Sequence, residues 1–140
     1  MIKYQTHNIT LSEIPKEISL TFEITNCPRK CKNCHTPELQ QDIGTELTLS
    51  ELKRIISQNT VNNRHLFSCV LFLGGEQHTE LLSLVKYITS IGLKCALYTG
   101  ADDVSKELSD NLCYLKTGPY IEALGGLDSP TTNQKFMEMC

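Results

Sequence analysis

The period of hydrophobic and polar positions changes several times along the chain, and each change marks an element. Residues 16–25 alternate, with Ile18, Leu20, Phe22 and Ile24 on one face of an extended strand and Glu17, Ser19, Thr21 and Glu23 on the other. Before it, Ile2 and Tyr4 suggest a short first strand, followed by polar, irregular sequence to Pro15. From residue 48 the period is helical: Thr48 and Glu51 have capping-box spacing, and Leu49, Leu52, Ile55 and Ile56 predict a helix to about residue 58. Residues 67–73 form a continuous apolar run, the pattern of a strand buried on both faces. Leu81, Leu82, Val85, Ile88 and Ile91 predict a second helix over 79–91 that Gly92 can end. A strand over 93–98, a short helix over 102–110 with Val104 and Leu108 inward, and a strand over 112–116 follow.

Strands alternating with helices predict parallel pairing through right-handed crossovers. The expected fold is α/β, a small partial (open) βα barrel with about four parallel strands and flanking helices. At 140 residues the chain is one domain, 1–140, far short of the ~250 residues of a closed eight-stranded barrel. Ligands of such sheets collect at the carboxyl ends of the strands. Four distinctive stretches fall there: the cysteine-bearing segment after the first parallel strand, then Gly74-Gly75-Glu76, Tyr98-Thr99-Gly100 and Thr117-Gly118-Pro119.

In the first of these, Cys27, Cys31 and Cys34 are separated by three and then two residues, close enough to aim three sulfurs at one inorganic centre. Structural zinc sites and the common iron–sulfur carriers use four ligands, so three thiolates leave one position for a substrate. A Cys3His zinc site would need His35, which adjoins Cys34, to turn back tightly onto the same ion. Arg29, Lys30 and Lys32 make this loop cationic, fit either to steer an acidic partner or electron donor or to stand solvated. His7, His65 and His78 read as surface or turn histidines.

Composition narrows the setting. A net charge of −3, with 40% hydrophobic and 21% charged residues, gives no sign of a nucleic-acid surface. The amino end has no signal-peptide pattern and no run approaches ~18 apolar residues, so the expected location is cytoplasmic, with no membrane partner. Seven cysteines suit a reducing compartment. Cys69, Cys95 and Cys113 lie in apolar strand-like runs and read as small buried hydrophobes, and Cys140 as a terminal thiol.

With the cysteine spacing at the end of one strand and Gly-Gly-Glu at the end of the next, the chain resembles the radical S-adenosylmethionine superfamily. Within it, the chain is similar to the activating proteins of the anaerobic (class III) ribonucleotide reductases. The likeness runs from about residue 5 to 136 through Ile24-Thr-Asn-Cys-Pro-Arg-Lys-Cys-Lys-Asn-Cys-His-Thr-Pro, Phe72-Leu-Gly-Gly-Glu, Leu97-Tyr-Thr-Gly, Lys116-Thr-Gly-Pro-Tyr-Ile-Glu and Thr132-Asn-Gln-Lys. It departs at Asn33, where many superfamily members have an aromatic residue, and at Leu39-Gln40, where relatives commonly carry one.

The resemblance implies a 4Fe-4S cluster held by Cys27, Cys31 and Cys34, with S-adenosyl-L-methionine chelating the fourth iron. Glu76 would accept a hydrogen bond from the methionine ammonium, Gly74 and Gly75 would let the backbone approach it, and Tyr98 and Thr99 would contact its ribose or carboxylate. No catalytic side chain is implied beyond the cluster and cofactor. A flavodoxin-like or other low-potential donor would reduce the cluster. The reaction would end with a glycyl radical on the large subunit of the reductase, whose interface would include Gly125-Gly126 and Asn133-Gln134. The alternatives are an activator of the pyruvate formate-lyase type and a non-enzymatic iron–sulfur or zinc-binding module.

Overall fold

The structure is a computed structural model and describes residues 1–25, 41–119, 121, 123–127 and 129–140. Cys27, Arg29, Lys30, Cys31, Lys32, Cys34 and His35 lie outside the described residues. Four strands form the middle of the sheet: β2 (Ser19–Ile24), β6 (Cys69–Leu73), β7 (Lys94–Tyr98) and β8 (Tyr114–Thr117), each parallel to the next. Antiparallel strands widen it, β1 (Lys3–Thr10) and β3 (Thr45–Glu46) beyond β2, and β9 (Lys135–Glu138) beyond β8. The resulting order is β3-β1-β2-β6-β7-β8-β9.

The helices α1 (Leu49–Gln58), α2 (Glu80–Ser90) and α3 (Lys106–Ser109) pack on one face of this sheet. Their apolar stripes, Leu52, Ile55 and Ile56 of α1 and Leu81, Leu84, Val85 and Ile88 of α2, close over Leu20, Phe22, Val70, Phe72, Cys95, Leu97 and Leu115. Phe22 and Phe72 stack at the centre with ring centroids 5.6 Å apart. Alternation sends Cys69, Leu71, Ala96, Tyr98 and Tyr114 to the opposite face, where Ile14 and Phe136 cover them and no helix does among the described residues. None of these helices is long and apolar enough to cross a membrane.

Several elements depart from the sequence pattern for identifiable reasons. The polar stretch after Tyr4 continues as β1 to Thr10, because it can pair along β2 whatever its side chains. Ile18 is 44% exposed while Glu17, Ser19 and Thr21 are buried, so the alternating strand is covered on both faces. Thr48 Oγ1 accepts the Glu51 N–H, but the Glu51 carboxylate completes no capping box; it takes the Tyr4 hydroxyl at 2.6 Å and Arg54 instead. The Arg54 and Tyr4 hydrogen bonds hold the Glu51 carboxyl down at about 2. The hairpin β4 (Thr60–Val61) and β5 (Arg64–His65) turns on Asn62 and Asn63, both at positive φ, as a two-residue hairpin requires. Cys113 and Cys140 are joined in a disulfide, correcting the reading of one as a plain buried hydrophobe and the other as a free thiol. Cys69 and Cys95 are free and buried as expected.

The amino ends of the parallel strands meet at one carboxylate. Glu17 is 6% exposed and receives Ser68 Oγ at 2.6 Å, Lys94 Nζ at 2.7 Å and the Tyr114 hydroxyl. These groups sit at or just before the starts of β6, β7 and β8, while Glu17 leads into β2. Burial pushes the Glu17 carboxyl up, but the three hydrogen bonds and the Lys94 charge outweigh it, and the net shift is downward. A depressed carboxyl contributes stability above its unfolded-state value and loses it as pH falls through the folded one. Glu17→Gln should therefore lower the unfolding free energy at neutral pH by about 2 kcal/mol and flatten its decline below pH ~4.5. Chemical denaturation of both proteins at neutral and acidic pH measures this; equal differences at the two pH values would remove the charge from the explanation.

Candidate functional site

The cysteine segment leaves the sheet at the carboxyl end of β2 and returns at residue 41, and the two stems are held together by one buried hydroxyl. Thr25 is fully buried; its Oγ1 donates to Ile43 O at 2.6 Å, and its N–H donates to Lys3 O at 3.0 Å. The returning stem is fixed further by the Lys3–Asp42 ion pair (3.1 Å) and by Gly44, whose φ of +99° and contact with Tyr4 O leave no room for a Cβ. A side chain there would overlap backbone. The loop thus starts and ends against β1, with Cys27 two residues beyond the Thr25 clamp.

Beside it stands the turn after β6. Gly74 and Gly75 have φ of +90° and +106°, the left-handed region where other residues are strained. Gly74 N–H donates to Tyr98 O at 2.7 Å, which extends the parallel ladder into the loop. A Cβ on Gly75 would lie 3.4 Å from both Ile2 and Ile24 side chains, so the turn packs directly against the end of β2. His78 N–H closes the turn onto Gly75 O at 2.9 Å, and Glu76 lies half-buried on it. Burial lowers the His78 pKa.

The next two loops are stitched on in the same way. Thr99 N–H donates to Lys116 O at 2.9 Å and Gly118 N–H to Ala101 O at 2.6 Å. The structure therefore brings Thr25, Gly74–76, Thr99 and Gly118 to one edge of four adjacent strands, spaced by ~4.8 Å from strand to strand. Tyr98 and Thr99 reach that edge with their polar atoms engaged: the Tyr98 hydroxyl donates to Glu13 O, and Thr99 Oγ1 accepts the Ala101 N–H at 3.0 Å. Burial raises the Tyr98 pKa well out of the neutral range.

One polar group on this edge was not singled out in the sequence. The Lys116 ammonium lies 4.8 Å from the centre of the Tyr98 ring on the helix-free face, and forms no ion pair among the described residues. Burial lowers its pKa. A lone lysine inside the apolar 112–116 strand was the available signal.

Asn133 and Gln134 are half-exposed and make internal hydrogen bonds. Thr131 and Thr132 hydroxyls donate to Leu124 O and Gly125 O, and the Asn133 and Gln134 amides to Pro119 O and Gly118 O. Four consecutive side chains thus brace the return segment internally. Among the described residues no group of three or more His, Cys, Asp or Glu converges as a metal site. Burial pushes the Cys69 thiol up to about 12 and raises Cys95, so both stay protonated at neutral pH and are poor ligands.

In comparison with known proteins, the model of a family described as "4Fe-4S single cluster domain" matches residues 18–123, which run from the start of β2 past the end of β8. The PqqA peptide cyclase of Rhodopseudomonas palustris is 33% identical over 93 residues, 64% of this chain and 24% of that protein. The PqqA peptide cyclase of Bradyrhizobium diazoefficiens is 32% identical over 107 residues, 71% of this chain and 27% of that protein. The chain spans about a quarter of the length of these curated relatives. No solved structure matches it. Its cofactors are a 4Fe-4S cluster and S-adenosyl-L-methionine. The chain belongs to the 4Fe-4S single cluster domain family, within the radical S-adenosylmethionine superfamily.

Proposed function

We propose that the chain is the activating enzyme of an anaerobic ribonucleotide reductase, using S-adenosylmethionine at its cluster to place a radical on a glycine of that larger protein. The observation that carries this reading is the packing of the Gly74-Gly75-Glu76 turn against Ile24, at the end of the strand that leads into the cysteine segment, on a sheet whose second apolar face carries no helix among the described residues. Parallel sheets ordinarily have both faces covered by helices. A helix-free face, covered only by Ile14 and the Phe136 ring among the described residues, fits the concave side of an open, partial βα barrel that a polypeptide would approach. The two relatives are named for a peptide that they cyclise, the same broad class of substrate. The choice of the reductase rests on the sequence likeness at residues 97–100, 116–122 and 132–135.

Cys27, Cys31 and Cys34 would hold the cluster, since thiolates are the ligands its irons require and a fourth cysteine would close the position S-adenosylmethionine needs. When bound, the reduced cluster supplies the electron for cleavage of the cofactor and so the hydrogen-abstracting chemistry. The chain's own residues place and shield. Gly74 and Gly75 let backbone approach the cofactor, and Glu76 orients it by accepting a charge-assisted hydrogen bond from its ammonium. With its hydroxyl engaged by Glu13, Tyr98 offers its ring to the bound ligand, and Thr99 holds the neighbouring turn. The cationic loop residues Arg29, Lys30 and Lys32 would meet an acidic, low-potential electron donor such as a flavodoxin-like protein.

Replacing Cys31 with Ala should abolish the visible absorption of the anaerobically reconstituted cluster. Glu76→Ala should leave that absorption intact and weaken S-adenosylmethionine binding by about tenfold or more; unchanged affinity would take Glu76 out of the site. Mixed without oxygen with the anaerobic reductase, cofactor and reductant, the wild-type protein should produce a glycyl radical signal in electron paramagnetic resonance. A signal on a pyruvate formate-lyase type protein and none on the reductase would move the assignment to that partner.

A further inference from the structure

β9 is the outermost strand on its side of the sheet, and little holds it there. Among the described residues it pairs only with β8, from Tyr114↔Glu138 to Thr117↔Lys135. Lys135, Met137 and Glu138 are exposed, and only the Phe136 ring reaches inward, stacked on Tyr114 at 5.9 Å and edge-on to Tyr98 at 6.1 Å. A strand with so little burial opens locally at small cost. Two further links fasten its end: Met139 N–H donates to Cys113 O at 2.7 Å, and Cys140 is bonded to Cys113. The Cα atoms of this pair are 4.8 Å apart, inside the ~4.4–6.8 Å span of disulfides.

The two sulfurs differ in access. Cys113 is 5% exposed, whereas Cys140 is exposed after the last strand. An external thiolate therefore attacks Cys140 Sγ, breaks the S–S bond and releases Cys113 as the leaving thiolate; a second external thiol resolves the mixed disulfide. The net change is one protein disulfide plus two thiols giving two protein thiols plus one external disulfide, with two electrons and two protons entering the protein.

We propose that Cys113–Cys140 is a redox-operated strap that fastens β9 to the edge of the sheet and so holds Phe136 on the helix-free face against Tyr98 and Tyr114, and that a thiol–disulfide couple of the glutathione class opens and closes it. The strap lies at the amino end of β8, while the segment braced by Thr131 to Gln134 joins β9 at the other end, beside Gly118. Closed, it keeps Phe136 over Tyr98 and Tyr114; open, it lets that ring and the end of β9 leave. This property is independent of the reaction run at the cluster loop, and the test separates the two.

The reconstituted protein is equilibrated without oxygen in oxidised or in reduced glutathione, then read by non-reduced peptide mapping and by amide hydrogen exchange. Oxidised samples should yield a Cys113–Cys140 linked peptide. Amides 136–139 should exchange about tenfold faster after reduction. Cys140→Ser should show the fast exchange in both buffers with unchanged cluster absorption, which distinguishes strap release from loss of the fold. The proposal is overturned if Cys140 is found only as a glutathione adduct, if no linked peptide forms, or if a linked peptide forms and exchange at 136–139 is the same in both buffers.

Discussion

The Thr25 hydroxyl is the contact on which the geometry of the carboxyl edge depends. A loop carrying three cysteines can aim them at one centre only if its two stems are held at a set separation, and the entropy of an unclamped fifteen-residue excursion works against that. Thr25 ties the outgoing stem to Lys3 and the returning stem through Ile43, from a position with no solvent to compete for its hydrogen bonds. Gly44 then lets the returning chain lie flat against Tyr4. The antiparallel strand β1, outside the parallel unit, is what both stems are fastened to, so its role is to anchor the loop as well as to widen the sheet.

The two ends of the parallel strands are stabilised by different means. At the amino ends a buried carboxylate gathers three side-chain donors, an arrangement that is rigid because each polar atom is matched and none can be lost cheaply. At the carboxyl ends the joins between neighbouring parallel strands are backbone to backbone, Gly74 to Tyr98, Thr99 to Lys116 and Gly118 to Ala101, with side chains such as Thr25 and Gln134 holding the flanking segments. Backbone joins leave side chains and the approach of a ligand unencumbered.

Much of this was legible in the sequence where a single physical rule acts locally. The continuous apolar run 67–73 became β6, and the 3.6-residue spacing of Leu81, Val85 and Ile88 became α2, because burial decides both patterns. What escaped detection depends on partners distant in the chain. β1 beyond Tyr4 is a strand because β2 offers a ladder, and Glu17 is buried because Lys94, Ser68 and Tyr114 arrive from elsewhere. β9 and the Cys113–Cys140 bond are invisible locally for the same reason, since a strand of exposed side chains has no periodic signature. In the candidate site the glycine turn was legible because positive φ selects glycine, whereas the engagement of Tyr98 by Glu13, 85 residues away, was not.

The sulfurs sort by environment in a way that bears on the proposed chemistry. Cys69 and Cys95 lie on opposite faces of the sheet, both buried, and the cost of placing a thiolate there raises their pKa values enough to silence them as ligands and nucleophiles. Cys113 and Cys140 are withdrawn differently, by bonding to each other. Every cysteine among the described residues is therefore either protonated or oxidised, and neither form competes for iron. A radical enzyme of the kind proposed needs its cluster assembled on three thiolates and no more. Burial and pairing remove the other four sulfurs from that competition without dispensing with them as core or strap.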